Sequence, residues 1–273
     1  MIEILKSILY GIVEGITEWL PISSTGHMIL LDEFVKLDVS EQFWDLFLVV
    51  IQLGAILAVI VMYWKKLIPL QFDHGCRIDR KKCVMWLKII VASIPAGVVG
   101  ILWDDIFTAV FYNYLTVAIM LIIVGILFIL IENRNRRRVP TVDSIDDISY
   151  GKAFLIGVFQ MIAAVFPGTS RSGSTIMGSL LLGISRTTAA EFTFFLAIPA
   201  MLGGSAIKVV KYEGSFMSDE LMLLAVGMVV AFVVSILAIR FLMSYIKKHD
   251  FKVFGWYRII LGAAVLIYFA AAH

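Results

Sequence analysis

Apolar residues in this chain run in long blocks with almost no charge, rather than at the spacing of an amphipathic helix or strand. Six blocks, residues 43–64, 86–103, 113–131, 187–209, 221–241 and 254–271, are each long enough for a helix across a bilayer. A hydrocarbon core about 30 Å thick takes about 20 helical residues. Two further apolar regions break in the middle. Residues 2–31 are interrupted by Pro21 and a Ser-Ser-Thr-Gly run, and residues 151–184 by Pro167, Gly168 and a Thr-Ser-Arg-Ser-Gly run. Each reads as two short helices around a polar tip. Irregular polar backbone survives at membrane depth only inside protein or against a wet cavity, so both regions are expected to be re-entrant hairpins. The predicted fold is all-α: a polytopic membrane protein of six full spans plus two re-entrant helical hairpins.

Composition agrees. The chain is 60% hydrophobic and 16% charged, with a mean hydropathy of +0.94, whereas soluble domains are about half apolar and a quarter charged. A soluble core cannot absorb that excess. The net charge of +2, without a basic tail, gives no reason to expect nucleic acid as a partner; membrane lipid is the expected surroundings. The N-terminal stretch lacks a small-x-small cleavage site and contains Glu14 and Glu18, so it does not read as a signal peptide. Cys76 and Cys83, with His74 nearby, lack the ligand number and spacing of a zinc site and read as free thiols.

Loop charges set an orientation. Lys65, Lys66, Arg77, Arg80, Lys81 and Lys82 lie between the first two spans, Arg134 and Arg136–Arg138 follow the third, and Lys247, Lys248, Lys252 and Arg258 fall between the last two. The positive-inside rule makes these loops cytoplasmic. The opposite loops carry Asp32, Glu33, Asp38, Asp104, Asp105, Glu213, Asp219 and Glu220, with Lys36, Lys208 and Lys211 as exceptions. Threaded this way, the chain is one membrane domain, 1–273, of two repeats in opposite orientation, 1–138 and 150–273. Inverted repeats of this kind place a site at the midplane between broken helices. Gly11, Ile16, Pro21 and Ser24 align with Gly157, Ile162, Pro167 and Ser170 at one offset of 146.

The polar tips carry the candidate chemistry. Glu14 and Glu18, four apart, share one helix face, and carboxylates in lipid cost a few kcal/mol each. A divalent metal, Arg171 or a protonated His27 would answer them, and carboxylate oxygens suit Mg²⁺ or Ca²⁺. Water at the mouth of the site is the simpler alternative. Ser23, Ser24 and Thr25 precede a helix containing His27. One helical turn would bring the imidazole near the Ser24 hydroxyl, a nucleophile-and-base arrangement. In the second tip Thr169, Ser170, Arg171, Ser172, Gly173 and Thr175 surround a helix start, where amides, hydroxyls and one bidentate guanidinium cradle an anion. A structural ion pair from Arg171 to Glu14 or Glu18 is the other reading of that arginine.

The motifs Glu-Gly-x-Thr-Glu-x-Leu-Pro-x-Ser-Ser-Thr-Gly-His at 14–27 and Pro-Gly-x-Ser-Arg-Ser-Gly-x-Thr at 167–175 resemble those of the bacterial undecaprenyl-diphosphatases of the bacitracin-resistance type, and the resemblance extends over the whole chain. It implies removal of one phosphate from undecaprenyl diphosphate, which recycles the lipid carrier of cell-wall synthesis. It also implies a divalent cation and a site in the bacterial inner membrane facing the periplasm. Roles for Glu14, Glu18, Ser23, Ser24, His27, Ser170, Arg171, Ser172 and Thr175 follow from the same resemblance. Ser24 is then the expected nucleophile with His27 as base, and Glu18 with Glu14 binds metal or orients His27; attack by His27 or by metal-bound water is the rival. A polyprenyl diphosphate lipid is the expected partner, and the sequence leaves room for a homodimer. An inverted-repeat transporter or flippase for a phosphorylated lipid is the alternative, since fold alone does not fix function.

Overall fold

A computed structural model describes residues 1–71, 77–136, 138–214 and 217–272. His74, Cys76 and Arg137 therefore lie outside the described residues, and the thiol reading is left with Cys83 in the helix that follows.

Among the described residues ten α-helices follow in order: α1 (Ile2–Thr17), α2 (Ser24–Phe34), α3 (Glu41–Leu67), α4 (Arg80–Phe111), α5 (Tyr114–Asn135), α6 (Tyr150–Val165), α7 (Arg171–Leu181), α8 (Arg186–Lys211), α9 (Ser218–Tyr245) and α10 (Lys252–Ala272). Among the described residues the strand pairing is one short antiparallel ladder, Leu70–Gln71 against Arg77–Ile78, besides an isolated bridge from Val142 to Ile184. Five helices begin at a side-chain cap in the preceding turn: Ser40, Asp79, Asn113, Ser149 and Ser185 each accept a hydrogen bond from a first-turn amide of the next helix, satisfying a donor the helix cannot.

The six expected spans are present. Glu41–Leu67, Arg80–Trp103, Tyr114–Asn135, Arg186–Lys211, Ser218–Tyr245 and Lys252–Ala271 are long and apolar enough to cross a membrane, which makes this a multi-pass membrane protein. Their outer faces carry large exposed apolar side chains such as Ile101, Val229, Ile260 and Ile267, as lipid contact requires. The two interrupted regions form helix pairs, α1–α2 and α6–α7. At 1.5 Å per residue, the 16 residues of α1 and the 11 of α2 reach only about 24 and 16 Å, short of a full crossing.

Close packing of small residues joins the bundle, as expected where lipid supplies no hydrophobic drive between helices. α5 and α10 meet at Gly125 and Gly255: a Cβ on either would sit 2.7 or 2.8 Å from the other's carbonyl oxygen. α1 packs along α9, and α6 packs along α4.

One loop charge moves. Arg258, counted above with the basic loop before the last span, lies inside α10 and is fully buried. Lys247, Lys248 and Lys252 remain at that turn.

Candidate active site

Each broken region turns at a proline and restarts at a serine. In the first, α1 ends at Thr17 with Glu18 as its cap, and the chain turns through Pro21 to Ser23, the N-cap of α2. In the second, α6 ends at Val165 and the chain turns through Pro167 and Gly168 to Ser170, the N-cap of α7. Ser23 and Ser170 have φ of 75° and 71°, and no other described non-glycine residue has a positive φ. Such backbone costs about 1–2 kcal/mol and persists where surroundings enforce it. Each serine hydroxyl accepts from the amide three residues on, Gly26 N at 3.3 Å and Gly173 N at 3.1 Å.

This pairing corrects the register of the tips. Ser170 matches Ser23 and not Ser24, because the second turn has one more residue between its proline and its cap. Gly168 occupies that turn with φ of 85°, and a Cβ there would lie 2.6 Å from the Val117 carbonyl oxygen. Arg171 is therefore the counterpart of Ser24: each is the first residue of a half-helix.

Both of those residues meet one carboxylate. The Ser24 hydroxyl donates to Glu18 Oε2 at 2.6 Å, and Arg171 Nη2 donates to Glu18 Oε1 at 2.5 Å. Glu18 is buried. Arg171 also donates through Nη1 to the Thr193 carbonyl at 3.1 Å, and its guanidinium lies 5.9 Å from the centre of the Trp19 ring. Ser172 donates to the Glu18 carbonyl at 3.1 Å and lies at the same distance from the Ser170 hydroxyl. Two half-helix N-termini, one arginine and several hydroxyls thus converge on one point, a setting in which helix amides and dipoles attract an anion.

The expected Ser24–His27 hydrogen bond is not formed. His27 Nδ1 lies 2.7 Å from the Ser23 carbonyl oxygen, and Nε2 lies 2.7 Å from the Tyr257 hydroxyl. A carbonyl can only accept, so Nδ1 carries the proton, and in the neutral ring Nε2 accepts from Tyr257. The two rings are parallel, 5.6 Å apart. The helical turn does bring His27 under Ser23, but the Ser24 hydroxyl is drawn to the charged acceptor instead.

Other expected residues divide. Thr25 stands partly exposed in the first turn of α2. Thr175 is fully buried, 2.8 Å from the Thr193 hydroxyl and donating to the Arg171 carbonyl at 3.0 Å, so it braces α7 against α8. The Gly173 amide is taken by Ser170. Glu14 Oε1 and the side-chain oxygens of Gln160 and Thr169 are buried without a hydrogen-bond partner. Buried polar atoms in this condition call for an explanation.

The sequence reading missed Arg258 and Tyr257. Arg258 Nη2 donates to the Gly168 and Thr169 carbonyls at 2.7 and 2.9 Å, and Nη1 donates to the Pro21 carbonyl at 3.2 Å. One side chain from α10 therefore ties the two tips together. The available signal was its position inside the sixth apolar run, where a charge is costly.

Compared with known proteins, residues 7–264 match the family model described as bacitracin resistance protein BacA. An undecaprenyl-diphosphatase of Desulfitobacterium hafniense is 65% identical over 271 residues, covering 99% of this chain and 98% of that protein. Undecaprenyl-diphosphatase 1 of Clostridium acetobutylicum is 62% identical over 268 residues, 98% of each chain. An undecaprenyl-diphosphatase of Acetivibrio thermocellus is 53% identical over the full length of both.

Proposed function

The chain belongs to the bacitracin resistance protein BacA family, and from that premise we propose that it is an undecaprenyl-diphosphatase whose reaction centre is the convergence of the two tips. It hydrolyses undecaprenyl diphosphate to undecaprenyl phosphate and inorganic phosphate.

The observation that carries the mechanism is the 2.6 Å hydrogen bond from Ser24 to Glu18. A diphosphate brings concentrated negative charge, which Arg171 and the amides of α2 and α7 answer. Ser24 Oγ attacks the terminal phosphorus as its proton passes to Glu18 Oε2. The bond from that phosphorus to the bridging oxygen breaks, and undecaprenyl phosphate leaves. The proton on Glu18 passes to the departing phosphate, and water then hydrolyses the phosphoserine, releasing phosphate and restoring the hydroxyl. Glu18 is the hydrogen-bonded base, and His27, held by Ser23 and Tyr257, orients the turn that carries Ser24.

The residues present suit a divalent cation. Glu14 supplies a buried oxygen without a partner, and Glu18 stands four residues further on. Among the described residues no three of the His, Cys, Asp and Glu side chains gather into a complete cage. Mg²⁺ is commonly held by one or two carboxylates and completed by substrate phosphates. Such a cation would neutralise diphosphate charge when bound.

The matched serine caps and the pairing of α1 with α9 and of α6 with α4 support two inverted repeats whose short helices re-enter from opposite sides. Loop charge supports cytoplasmic placement of the basic loops, and the family resemblance supports a reaction centre facing the periplasm of the bacterial inner membrane.

The test is phosphate release from undecaprenyl diphosphate by purified wild type and Ser24→Ala, with and without divalent cation. Cation-dependent release that collapses in Ser24→Ala supports the reading. Persistence in the mutant moves the attack to His27 or water. No release by folded wild type leaves a lipid-phosphate binding or transport site instead.

A further inference from the structure

α3 and α8 lie side by side in opposite directions, so the start of each meets the end of the other. Both carry a carboxylate in the second turn, Asp45 in α3 and Glu191 in α8. Both carry lysines in the last turn, Lys65 and Lys66 in α3, Lys208 and Lys211 in α8. The two ends of the pair are therefore built from the same charges, but they stand in different states. At one end Lys66 Nζ donates to Glu191 Oε1 at 2.6 Å, and the Tyr63 ring packs edge-on against Phe195, 5.3 Å between centres. α3 leaves helical geometry at Tyr63, with φ of −110° and ψ of 15°, and so bends just before the lysine that closes this end. At the other end a cavity of about 880 Å³ leads inward to Arg171, and Asp45 and Lys208 both line it. Neither forms an ion pair among the described residues.

These two residues stand opposite each other. The Ser205 hydroxyl donates to the Val49 carbonyl at 3.2 Å. Asp45 lies four residues before Val49 and Lys208 three after Ser205, so each is one helical turn farther out on the facing side. The stretch of α8 that carries Lys208 follows Pro199, Gly203 and Gly204. Pro199 lacks the amide that would bond to the Phe195 carbonyl, and helices bend at proline and at glycine. A Cβ on Gly203 or Gly204 would meet no atom within 4 Å, so neither glycine serves close packing. Glycine is the poorest helix former after proline, and its effect here is to loosen the end of α8.

We propose that Asp45 and Lys208 gate the reaction: with substrate bound, the end of α8 bends at Pro199–Gly204 and this pair closes the mouth, as Lys66 and Glu191 close the opposite end. The proposal rests on the phosphatase reading above. Closure excludes bulk water and so strengthens the attraction between Arg171 and the diphosphate. Parting of the pair then lets product leave. Asp45 and Lys208 touch no reacting atom; they set how long the substrate is held against Ser24.

The test combines Asp45→Cys and Lys208→Cys in full-length protein that also carries Cys76→Ser and Cys83→Ser. The two thiols are bridged by a two-carbon bis-methanethiosulfonate, which reductant removes. Bridging is expected to rise at least about threefold with the methylene-bridged, non-hydrolysable analogue of undecaprenyl diphosphate. The bridged protein is expected to lose at least about tenfold in phosphate release and to recover on reduction. Equal bridging with and without the analogue, or full turnover while bridged, overturns the gate. Separately, Asp45→Asn and Lys208→Gln are each expected to lower kcat about three- to fivefold. The exchanged pair, Asp45→Lys with Lys208→Asp, is expected to return to within about twofold of wild type. Wild-type rates in both single variants, or no recovery in the exchanged pair, overturn the gate even where the cysteine protein fails to fold. Analogue-dependent bridging in a protein that releases no phosphate keeps the gate and overturns the phosphatase reading.

Discussion

Glu18 and Arg171 are 153 positions apart in the chain and 2.5 Å apart at Oε1 and Nη2. This contact closes the gap between the two broken regions, and the second oxygen of Glu18 accepts the Ser24 hydroxyl. A buried ion pair adds little net stability. Here its consequence is positional: one carboxylate fixes the first residue of both half-helices, and so sets where an anion between them would lie.

Arg171→Lys keeps the charge and loses the planar fork. Lysine cannot serve Glu18, the Thr193 carbonyl and a phosphate together. Phosphate release is expected to fall by about 10²–10³-fold in detergent-purified protein that remains folded. Near-normal turnover would mean that the guanidinium is not a phosphate ligand.

Glu18→Gln retains size and removes the negative charge. Turnover is expected to fall at least about 100-fold, and saturation by Mg²⁺ is expected to move to higher concentration. A titration of activity against Mg²⁺ reads both, and an unchanged cation dependence would remove Glu18 from the ligands of the ion.

Arg258→Met leaves the Pro21, Gly168 and Thr169 carbonyls without their shared donor in a fully buried place. Stability is expected to drop by about 3 kcal/mol or more, seen as earlier thermal unfolding in detergent. A variant as stable as wild type would show that the tips hold together without this clamp.

Tyr257→Phe keeps the ring parallel to His27 and removes the hydroxyl that His27 Nε2 accepts from. A single hydrogen bond contributes about 1 kcal/mol. Turnover is therefore expected to fall about tenfold or less with the melting point nearly unchanged. A wild-type rate would leave Tyr257 as packing alone.

Gly168→Ala meets both obstacles at once, a φ of 85° and a Cβ 2.6 Å from the Val117 carbonyl oxygen. A loss of stability of at least about 1–2 kcal/mol is expected, with reduced activity because the second tip must shift. A melting curve superimposable on wild type would show that the turn relaxes freely.

The sequence by itself determined the bulk of this protein. Long uncharged runs fix six spans because lipid admits only backbone bonded within its own segment. The interruptions at Pro21 and Pro167 marked the tips, and the two motifs pointed to the family. Those signals are local, since hydropathy, proline and caps act within a few residues. Tertiary structure decided what a local reading could not. Ser24 bonds to Glu18 and not to His27 because a buried charged acceptor outweighs a neighbour one helical turn away. Ser23, and not Ser24, matches Ser170, because one extra residue at Gly168 shifts the register while the hydropathy pattern stays the same. Arg258 reads as a loop charge beside Lys252 until α10 is packed against both tips, when three carbonyls from distant segments become its partners. Contacts across the bundle depend on helix depth and rotation, and those are set only when the helices meet.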